Sequence, residues 1–326
     1  MLEVDIRKVF EAHESELRGV EQRLRDMFRS DVFLIPLIGR HLVESGGKRL
    51  RPLFLLSSAR LAGYRGSDHI ALAAVIEAIH TASLLHDDVV DGAELRRGKP
   101  TAHAIWGNQT VVLVGDFLYS NALKTAVSFK SQAIMEALSS ATTSMTEGEV
   151  FQLQKSGDVT LTEEEYISII TCKTGNLISA ACRIGGILGG LPPEGEDALA
   201  SFGLKTGIAF QMADDILDYM ADEGDLGKRL GKDLGEGKIT LPLICLLREV
   251  SEDERQEIKG VVENGLSDRG LGRIMELFKA HGALERSVER ARALVDDAKA
   301  DLGVFPESPA KAQMFNIAEY ALQRGK

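Results

Sequence analysis

The chain has few cysteines, only three in 326 residues: Cys172, Cys182 and Cys245. They are widely spaced, and none belongs to a C-x-x-C pair. A disulfide framework needs paired cysteines, and a structural zinc site needs closely spaced ones. The pattern therefore predicts reduced thiols, as in a cytosolic protein, and argues against a zinc site.

The sequence also lacks a long uninterrupted apolar run. A membrane-spanning helix needs ~20 consecutive apolar residues, and Glu77 and Arg183 interrupt the most apolar stretches. The first residues, Met1-Leu2-Glu3-Val4-Asp5, do not show the charged and then apolar pattern of a signal peptide. We therefore expect no membrane span and a soluble, cytoplasmic protein.

Positive charge is in deficit. Lysine and arginine number 38 against 49 aspartates and glutamates, which gives a formal net charge of −11. A general nucleic-acid-binding protein would present a basic face, so we expect no nucleic-acid partner. The basic residues that lie close to acidic motifs instead indicate that the protein binds a small anion.

Strand patterns are nearly absent, whereas helical patterns run through most of the chain. Apolar residues recur every three or four positions through nine segments, residues 4–28, 69–86, 110–126, 132–153, 163–188, 196–219, 241–250, 271–302 and 310–322. Glycine and proline mark the breaks between them, and no break is long enough for an inter-domain linker. The sequence predicts an all-α fold in one domain, residues 1–326.

The most informative motif is D-D-x-x-D, which occurs twice within apolar helical patterns. At about 100° per residue, the first and last carboxylates of each box share one helix face, roughly 6 Å apart along the axis. Like charges so close are costly unless cations compensate them, and Mg²⁺ prefers carboxylate oxygens and substrate phosphates. Ordinary acids at a helix end would explain one box but explain two poorly. We predict that the boxes hold a phosphorylated substrate through magnesium ions at Asp87, Asp88, Asp91, Asp214, Asp215 and Asp218.

Basic residues and one histidine accompany the first box. Arg96 and Arg97 follow it directly, and Lys48 and Arg51 lie in the glycine-containing turn at residues 45–52. Adjacent arginines can each bind a different anion, although a solvated basic face is the alternative. His80 lies on the same helix stripe as Asp87. It is either an anion ligand or an ordinary core histidine.

The second box is also followed by basic residues. Lys228 and Lys238 belong to or adjoin the glycine-rich stretch at residues 224–237, which could close over a phosphate or be a mobile surface loop. Between the boxes, Lys173 and Thr174 lie in a predicted helix rich in small residues, which allow either close helix packing or space for a ligand. Gln211 lies one turn before Asp215.

These residues together resemble the trans-isoprenyl diphosphate synthases, and within them the polyprenyl (octaprenyl-type) branch. The matching segments follow the order of the family: GGKRLRP (46–52), IEAIHTASLLHDDVVDGAELRRGKPTAH (76–103), LVGDFLYSNA (113–122), CKTGNLISAA (172–181), GIAFQMADDILDY (207–219) and LGKDLGEGKITLPL (230–243). They span most of the chain. Two boxes with R-R-G behind the first are highly specific in combination.

The resemblance implies a helical bundle of the isoprenoid-synthase type around a deep central cavity, with the two boxes facing each other across its mouth. It implies several Mg²⁺ ions per active site, held by the six aspartates on an allylic diphosphate. The implied contacts to that substrate are Arg96, Lys173, Thr174, Gln211, Lys228 and Lys238, with Thr174 and Gln211 beside the reacting carbons. The implied pocket for isopentenyl diphosphate contains Lys48, Arg51, His80 and Arg97.

The implied reaction is head-to-tail condensation by ionisation, condensation and elimination. Ala82 and Ser83 lie below the first box, where relatives with short products carry bulky aromatics, so we expect a medium- to long-chain all-trans product. Its expected use is as a quinone side chain. A homodimer is also expected, and transient membrane contact for product release is left open.

Three other functions compete with this one. A regulatory subunit of a two-component prenyltransferase would be expected to have lost its aspartate boxes. A cyclising terpene synthase needs only one substrate site, whereas the residues for a second are present here. A His-Asp phosphohydrolase, suggested by His86-Asp87, would need further metal-binding histidines, and the other six histidines show no such spacing.

Overall fold

The structure is a computed structural model, and it describes residues 6–96, 98–220 and 230–322. The all-α prediction is confirmed, because the described chain is built almost entirely of helices. In chain order these are α1 Ile6–Ala12, α2 Glu14–Met27, α3 Leu34–Glu44, α4 Leu50–Leu61, α5 Asp68–Val90, α6 Ala102–Trp106, α7 Asn108–Val127, α8 Gln132–Gln154, α9 Glu163–Ile170, a π-helical turn Thr171–Gly175, α10 Asn176–Gly189, α11 Pro193–Met220, α12 Lys232–Gly235, α13 Leu241–Leu247, α14 Glu252–Asn264, α15 Asp268–His281, α16 Ala283–Asp301, a 3₁₀ turn Leu302–Val304 and α17 Pro309–Tyr320. Two short strands, β1 Leu95–Arg96 and β2 Lys99–Pro100, pair antiparallel.

Several helix boundaries differ from the predicted ones. The pattern through residues 4–28 predicts one helix, but α1 and α2 are separated at His13, whose side chain is fully buried and contacts Ser57 and Glu16. The pattern through residues 271–302 is interrupted at Gly282, which adopts φ +61 and ends α15. A left-handed residue cannot continue an α-helix, and glycine adopts that conformation without strain.

The chain divides into two compact units. Unit 1 comprises Met1–Thr142, Ala180–Ala200 and Val304–Asn316, and unit 2 comprises Thr143–Ser179, Ser201–Gly303 and Ile317–Lys326. The first aspartate box belongs to unit 1 and the second to unit 2.

Helix α5 is the centre of unit 1 and packs against α7, α2 and α4. Its apolar residues surround the helix instead of forming one stripe, and eleven of its residues are buried, including the charged Glu77. The helix is long and apolar enough, by length and composition, to cross a membrane, but most of its apolar window is buried inside the protein. A helix that packs against neighbours on all sides accounts for both properties.

The small residues of α10 are explained by close packing within unit 1. A Cβ atom added at Gly185 would lie 2.6 Å from the backbone nitrogen of Ala59, and one at Gly189 would lie 2.3 Å from Cβ of Ala62. No side chain fits at such distances, so glycine lets α10 approach α4. Of the two alternatives for this helix, the structure supports helix packing.

Unit 2 has its own hydrophobic core around α13, in which every residue is buried. Helix α13 packs against α16, α15 and α9. The rings of Tyr219, at the end of α11, and Phe278, on α15, meet edge to face with centroids 4.9 Å apart. This packing holds the carboxyl end of α11, which carries the second box.

Candidate active site

The first aspartate box occupies the carboxyl end of α5. Asp88 is buried, Asp87 is half-buried and Asp91, the C-terminal capping residue, is exposed. The carboxyl end of a helix carries a partial negative charge and is usually stabilised by basic side chains. The last turn of α5 has none and carries carboxylates instead. This helix end therefore needs positive charge from elsewhere.

Arg96 supplies part of that charge from the hairpin that follows the box. Its Nε lies 2.8 Å from Oδ1 and 3.1 Å from Oδ2 of Asp88, and its Nη2 lies 2.7 Å from Oδ1. Such bidentate geometry is typical of strong arginine–carboxylate pairs. Arg96 is 40% exposed, so its guanidinium is also open to a ligand. Arg97, its predicted neighbour at the site, lies outside the described residues.

A cavity of about 70 Å³ in unit 1 adjoins this pair. His80, predicted either as a ligand or as a core residue, lines it, and Nη1 of Arg51 lies 2.9 Å from Nε2 of His80. Lys48 is exposed in the turn before α4. The structure thus brings Arg51 and His80 together. The charged or ionisable residues that line the cavity are His41, Arg49, Glu77, His80, Asp88 and Arg96.

Arg49 was missed by the sequence analysis, which considered only its neighbours Lys48 and Arg51. Its backbone is left-handed, with φ 50 and ψ 36, and its side chain is 10% exposed. Its Nη1 donates to Oε1 of Glu77 at 2.9 Å, and Glu77 is 7% exposed. A basic residue in a basic turn gives no sign in the sequence that its side chain will be buried.

The second box occupies the carboxyl end of α11, whose last turn is also without a basic residue. Asp214 and Asp218 are half-buried, whereas Asp215 is buried. Oδ2 of Asp215 accepts a hydrogen bond of 2.6 Å from the hydroxyl of Tyr166, and its Oδ1 accepts one of 2.9 Å from Nε2 of Gln211. Tyr166 is a further residue that the sequence analysis missed.

Thr174 and Gln211, predicted to lie beside the reacting carbons, are in direct contact. The hydroxyl of Thr174 donates to Oε1 of Gln211 at 2.9 Å. Since Gln211 in turn donates to Asp215, a continuous hydrogen-bond chain runs from the π-helical turn to the second box. π-Helical turns are rare and occur frequently at functional sites.

Acidic or amide groups hold the two predicted lysine ligands of unit 2 that the structure describes, Lys173 and Lys238. Nζ of Lys173 lies 2.8 Å from Oε2 of Glu149 and also donates to the side-chain oxygen of Gln152. Nζ of Lys238 lies 2.8 Å from Oε2 of Glu236. Lys228 lies outside the described residues. No local sequence signal marks Glu149 and Gln152 as partners of Lys173, and the structure shows that they orient its ammonium group.

Electrostatics indicate which ligand suits the second box. Burial, and then the Asp233 carboxylate, raise the pKa of Asp215 above its ordinary value, although hydrogen bonds from Tyr166 and Gln211 act in the opposite direction. Burial and the charge of Asp218 likewise raise the pKa of Asp233. Carboxylates crowded in this way favour a bound cation, which reverses the penalty on their charged form.

The donor set fits a hard divalent cation that also binds substrate. Within residues 6–96, 98–220 and 230–322, no group of three or more His, Cys, Asp or Glu side chains is placed to hold a metal ion by itself. The carboxylates of each box are spread over one helical turn. Mg²⁺ typically uses one or two protein carboxylates, several waters and substrate phosphates, so the boxes suit such an ion and not a closed protein cage.

Ala82 and Ser83 precede the first box by about one turn of α5. Ala82 is buried and Ser83 is half-buried, and the hydroxyl of Ser83 donates to the carbonyl of His80 at 2.9 Å. Both side chains are small, as the prediction about product length requires. Ser83 has more room around it than Ala82.

The sequence and the fold have close counterparts among known proteins. The profile of the family described as Polyprenyl synthetase matches residues 34–277. Octaprenyl diphosphate synthase of Escherichia coli (strain K12) is 42% identical over 99% of this chain and 100% of its own length. A polyprenyl synthase from Caulobacter crescentus CB15, crystallised with calcium and isoprenyl diphosphate, is 39% identical, with a TM-score of 0.93 over 99% of this chain and 98% of that one. A decaprenyl diphosphate synthase from Rhodobacter capsulatus is 39% identical, with a TM-score of 0.93 over 99% and 100% of the two chains.

Proposed function

The chain belongs to the polyprenyl synthetase family, and we infer that it is a prenyltransferase that makes a medium- to long-chain all-trans polyprenyl diphosphate. Its substrates are prenyl diphosphates. The more specific proposal is the condensation of isopentenyl diphosphate with an allylic diphosphate.

One observation carries the proposal. Both D-D-x-x-D boxes lie at the carboxyl ends of helices, α5 and α11, whose last turns contain no basic residue. That arrangement is electrostatically unfavourable, Arg96 offsets it only in part at the first box, and it suits a substrate that brings cations with it. A metal-bound diphosphate is such a substrate.

We propose that the metal is Mg²⁺, held by Asp87, Asp88, Asp91, Asp214, Asp215 and Asp218. When bound, it neutralises the negative charge that develops on the departing diphosphate. Tyr166 and Gln211 hold the Asp215 carboxylate in one orientation, and Arg96 does the same for Asp88. The aspartates therefore do not have to reorganise when the substrate arrives.

The remaining basic residues bind the two diphosphates directly. Arg96, Lys173, Lys228 and Lys238 contact the allylic diphosphate, and Lys48, Arg51, His80 and Arg97 contact isopentenyl diphosphate. The contact between Arg51 and His80, which lines the unit 1 cavity, supports the second assignment. Glu149 and Gln152 support the first, because they direct Nζ of Lys173.

The reaction balances without a protein nucleophile. The allylic carbon–oxygen bond breaks, and the diphosphate departs with the bonding electrons. The double bond of isopentenyl diphosphate then supplies the electron pair of the new carbon–carbon bond. Loss of a proton to the released diphosphate restores a double bond. Thr174 and Gln211 present neutral oxygen and amide dipoles to the cation, and the apolar helices exclude water that would convert it to an alcohol.

The small side chains of Ala82 and Ser83 put no aromatic ring one turn before the first box, which supports a product of medium to long length. A quinone side chain as the use of that product, a cytoplasmic location and a homodimer remain predictions. Light scattering of the purified protein tests the dimer, since a dimer has twice the mass of the 35.4 kDa chain.

The direct test is incubation of the protein with labelled isopentenyl diphosphate, farnesyl diphosphate and Mg²⁺, followed by chromatographic sizing of the products. We expect labelled all-trans products several isoprene units longer than the primer, and none when the metal is chelated. Absence of any label in an extended product would refute the proposal. A cyclic hydrocarbon product would identify a terpene synthase instead.

A further inference from the structure

The turn that carries the predicted isopentenyl diphosphate ligands is anchored by a residue outside that set. Arg49 lies between Lys48 and Arg51, and its side chain points into the protein while Lys48 stays exposed. Its guanidinium pairs with Glu77 at 2.9 Å and lies 3.5 Å from Oε1 of Glu21. Both Arg49 and Glu77 line the cavity that His80 also lines.

The backbone of Arg49 adopts a conformation that arginine seldom adopts. Its φ of 50 and ψ of 36 are left-handed, a conformation that costs free energy for any residue with a Cβ atom. It is the capping residue that directs the chain into α4, and Arg51 lies in the first turn of that helix. Other contacts must offset this cost: the Arg49 carbonyl accepts a hydrogen bond from the backbone amide of Leu53 at 3.2 Å, and the shortest side-chain contact of Arg49 is the pair with Glu77.

The pair is poorly suited to stability alone. Nη2 of Arg49 is buried and has no hydrogen-bond partner within the part of the chain that the structure describes. A buried donor without a partner is costly, and replacing a buried ion pair by apolar residues of similar size is often neutral or stabilising. We therefore expect the pair to matter mainly because it fixes the position of the start of α4 relative to α5.

The contacts between the start of α4 and α5 lie at the cavity, which Arg49, Glu77 and His80 line. Glu77 and His80 are three residues apart on α5, so they lie on one face of the helix. Arg49 contacts Glu77, and Arg51, two residues later, contacts His80 at 2.9 Å. The start of α4 is thus attached to α5 at two adjacent points: through its capping residue Arg49 and through Arg51 in its first turn.

We propose that Arg49 and Glu77 are positioning residues: their buried ion pair holds the turn at residues 45–49, which ends in the left-handed Arg49, so that Lys48 and Arg51 can bind the diphosphate of isopentenyl diphosphate. This inference rests on the proposed function. Neither residue of the pair is itself a substrate ligand. Their loss should therefore affect the binding of one substrate without affecting the chemical step.

Two variants separate positioning from folding. Arg49→Gly removes the ion pair but tolerates the left-handed backbone. The double variant Arg49→Met/Glu77→Leu removes both charges and keeps the volume buried. Lys130→Gly is the matched control, because Lys130 is left-handed too, with φ 53, but is exposed. Thermal unfolding followed by circular dichroism establishes which variants fold.

In steady-state kinetics, we expect the folded variants to show a KM for isopentenyl diphosphate raised by about tenfold or more. The KM for the allylic diphosphate and kcat should stay within about twofold of wild type, as should all constants of the control. A folded variant with an unchanged KM for isopentenyl diphosphate overturns the inference. Failure of both variants to fold also overturns it, because the pair is then structural.

A binding measurement distinguishes this inference from the proposed function. Trp106 is the only tryptophan of the sequence. Its ring lies edge to face with that of His41, with centroids 5.2 Å apart, and His41 lines the cavity. Titration with inorganic diphosphate should change Trp106 fluorescence in wild type and require about tenfold more ligand in Arg49→Gly. If wild type binds diphosphate but makes no polyprenyl product, the proposed function fails and the titration alone decides the inference. Equal affinity in the two proteins, or no binding by wild type, overturns it.

Discussion

The hydroxyl of Tyr166 donates a 2.6 Å hydrogen bond to Asp215, and both side chains are buried. The two residues are 49 positions apart and join α9 to the carboxyl end of α11 within unit 2. Burial, and then the Asp215 charge, raise the pKa of Tyr166 well above its ordinary value, so it remains a donor at any physiological pH. The tyrosine therefore fixes one oxygen of the second box in place.

Substitution Tyr166→Phe should destabilise the protein by about 1–3 kcal/mol, since it leaves a buried carboxyl oxygen without its donor. Urea unfolding measures the change. We also expect a higher Mg²⁺ concentration for half-maximal turnover, because Asp215 loses its fixed orientation. Tyr64→Phe is the control, since the hydrogen bonds of the Tyr64 hydroxyl are with exposed Asp68, whose backbone amide donates to it at 3.3 Å. Equal stability of Tyr166→Phe and wild type would contradict the proposed role of Tyr166.

Loss of one carboxylate from either box should reduce turnover severely. We expect Asp87→Ala and Asp214→Ala each to lower kcat by at least about 100-fold, because charge on the departing diphosphate is then poorly neutralised. Circular dichroism should show an unchanged helical fold. Asp253→Asn, which changes an exposed acid in the first turn of α14, should keep full activity. Near-normal condensation by either box variant would exclude the metal role of that box.

Acid should weaken the attachment of α2 through Glu16. Its carboxylate accepts from Nδ1 of His13 at 2.6 Å, and it lies 2.9 Å from both His69 and Arg60. Burial raises the pKa of Glu16, but the hydrogen bonds from the two histidines and the charge of Arg60 outweigh it, so the folded-state pKa lies well below 4.5.

A carboxyl group whose pKa is lowered on folding stabilises the fold above its unfolded pKa, and this stabilisation is lost as the pH falls through the folded value. We expect Glu16→Gln to be about 1–3 kcal/mol less stable than wild type at neutral pH. The difference should shrink as the pH falls below about 4.5. Urea unfolding over a series of pH values measures it. Glu14→Gln, which removes only the exposed pair with Arg18, should show no such trend, and a constant difference for Glu16→Gln would contradict the assignment.

Product length should respond to bulk below the first box. We expect Ser83→Phe and Ala82→Phe to shorten the polyprenyl product, because an aromatic ring occupies the space that the growing chain needs. Ala82 is buried, so its substitution should also cost about 1–3 kcal/mol of stability through overpacking, whereas half-buried Ser83 should tolerate the ring better. Chromatographic sizing gives the product length. Ser67→Phe, at the exposed start of α5, is the control, and unchanged product length in both test variants would rule out this location for the length limit.

Much of the architecture follows from short-range patterns. Apolar spacing correctly indicated the helical class and the helices that carry both boxes, whereas a ligand role for His80, suggested by its position relative to Asp87, stays a prediction. The same reasoning overlooked α3 and α4, and it joined α1 to α2 because nothing near His13 marks a break. That break depends on the burial of the imidazole against Ser57, 44 residues away in the sequence.

Helical periodicity and D-D-x-x-D spacing are relationships between residues within about one helical turn, so the chain specifies them before any long-range packing forms. Burial and pairing are different, because they depend on which distant segments pack together. Arg49 meets Glu77 across 28 positions, and Tyr166 meets Asp215 across 49. In neither case does the local sequence reveal that a charged group will leave water. Folding selects these partners because a buried charge or hydroxyl must be satisfied by whatever group the packed helices bring to it.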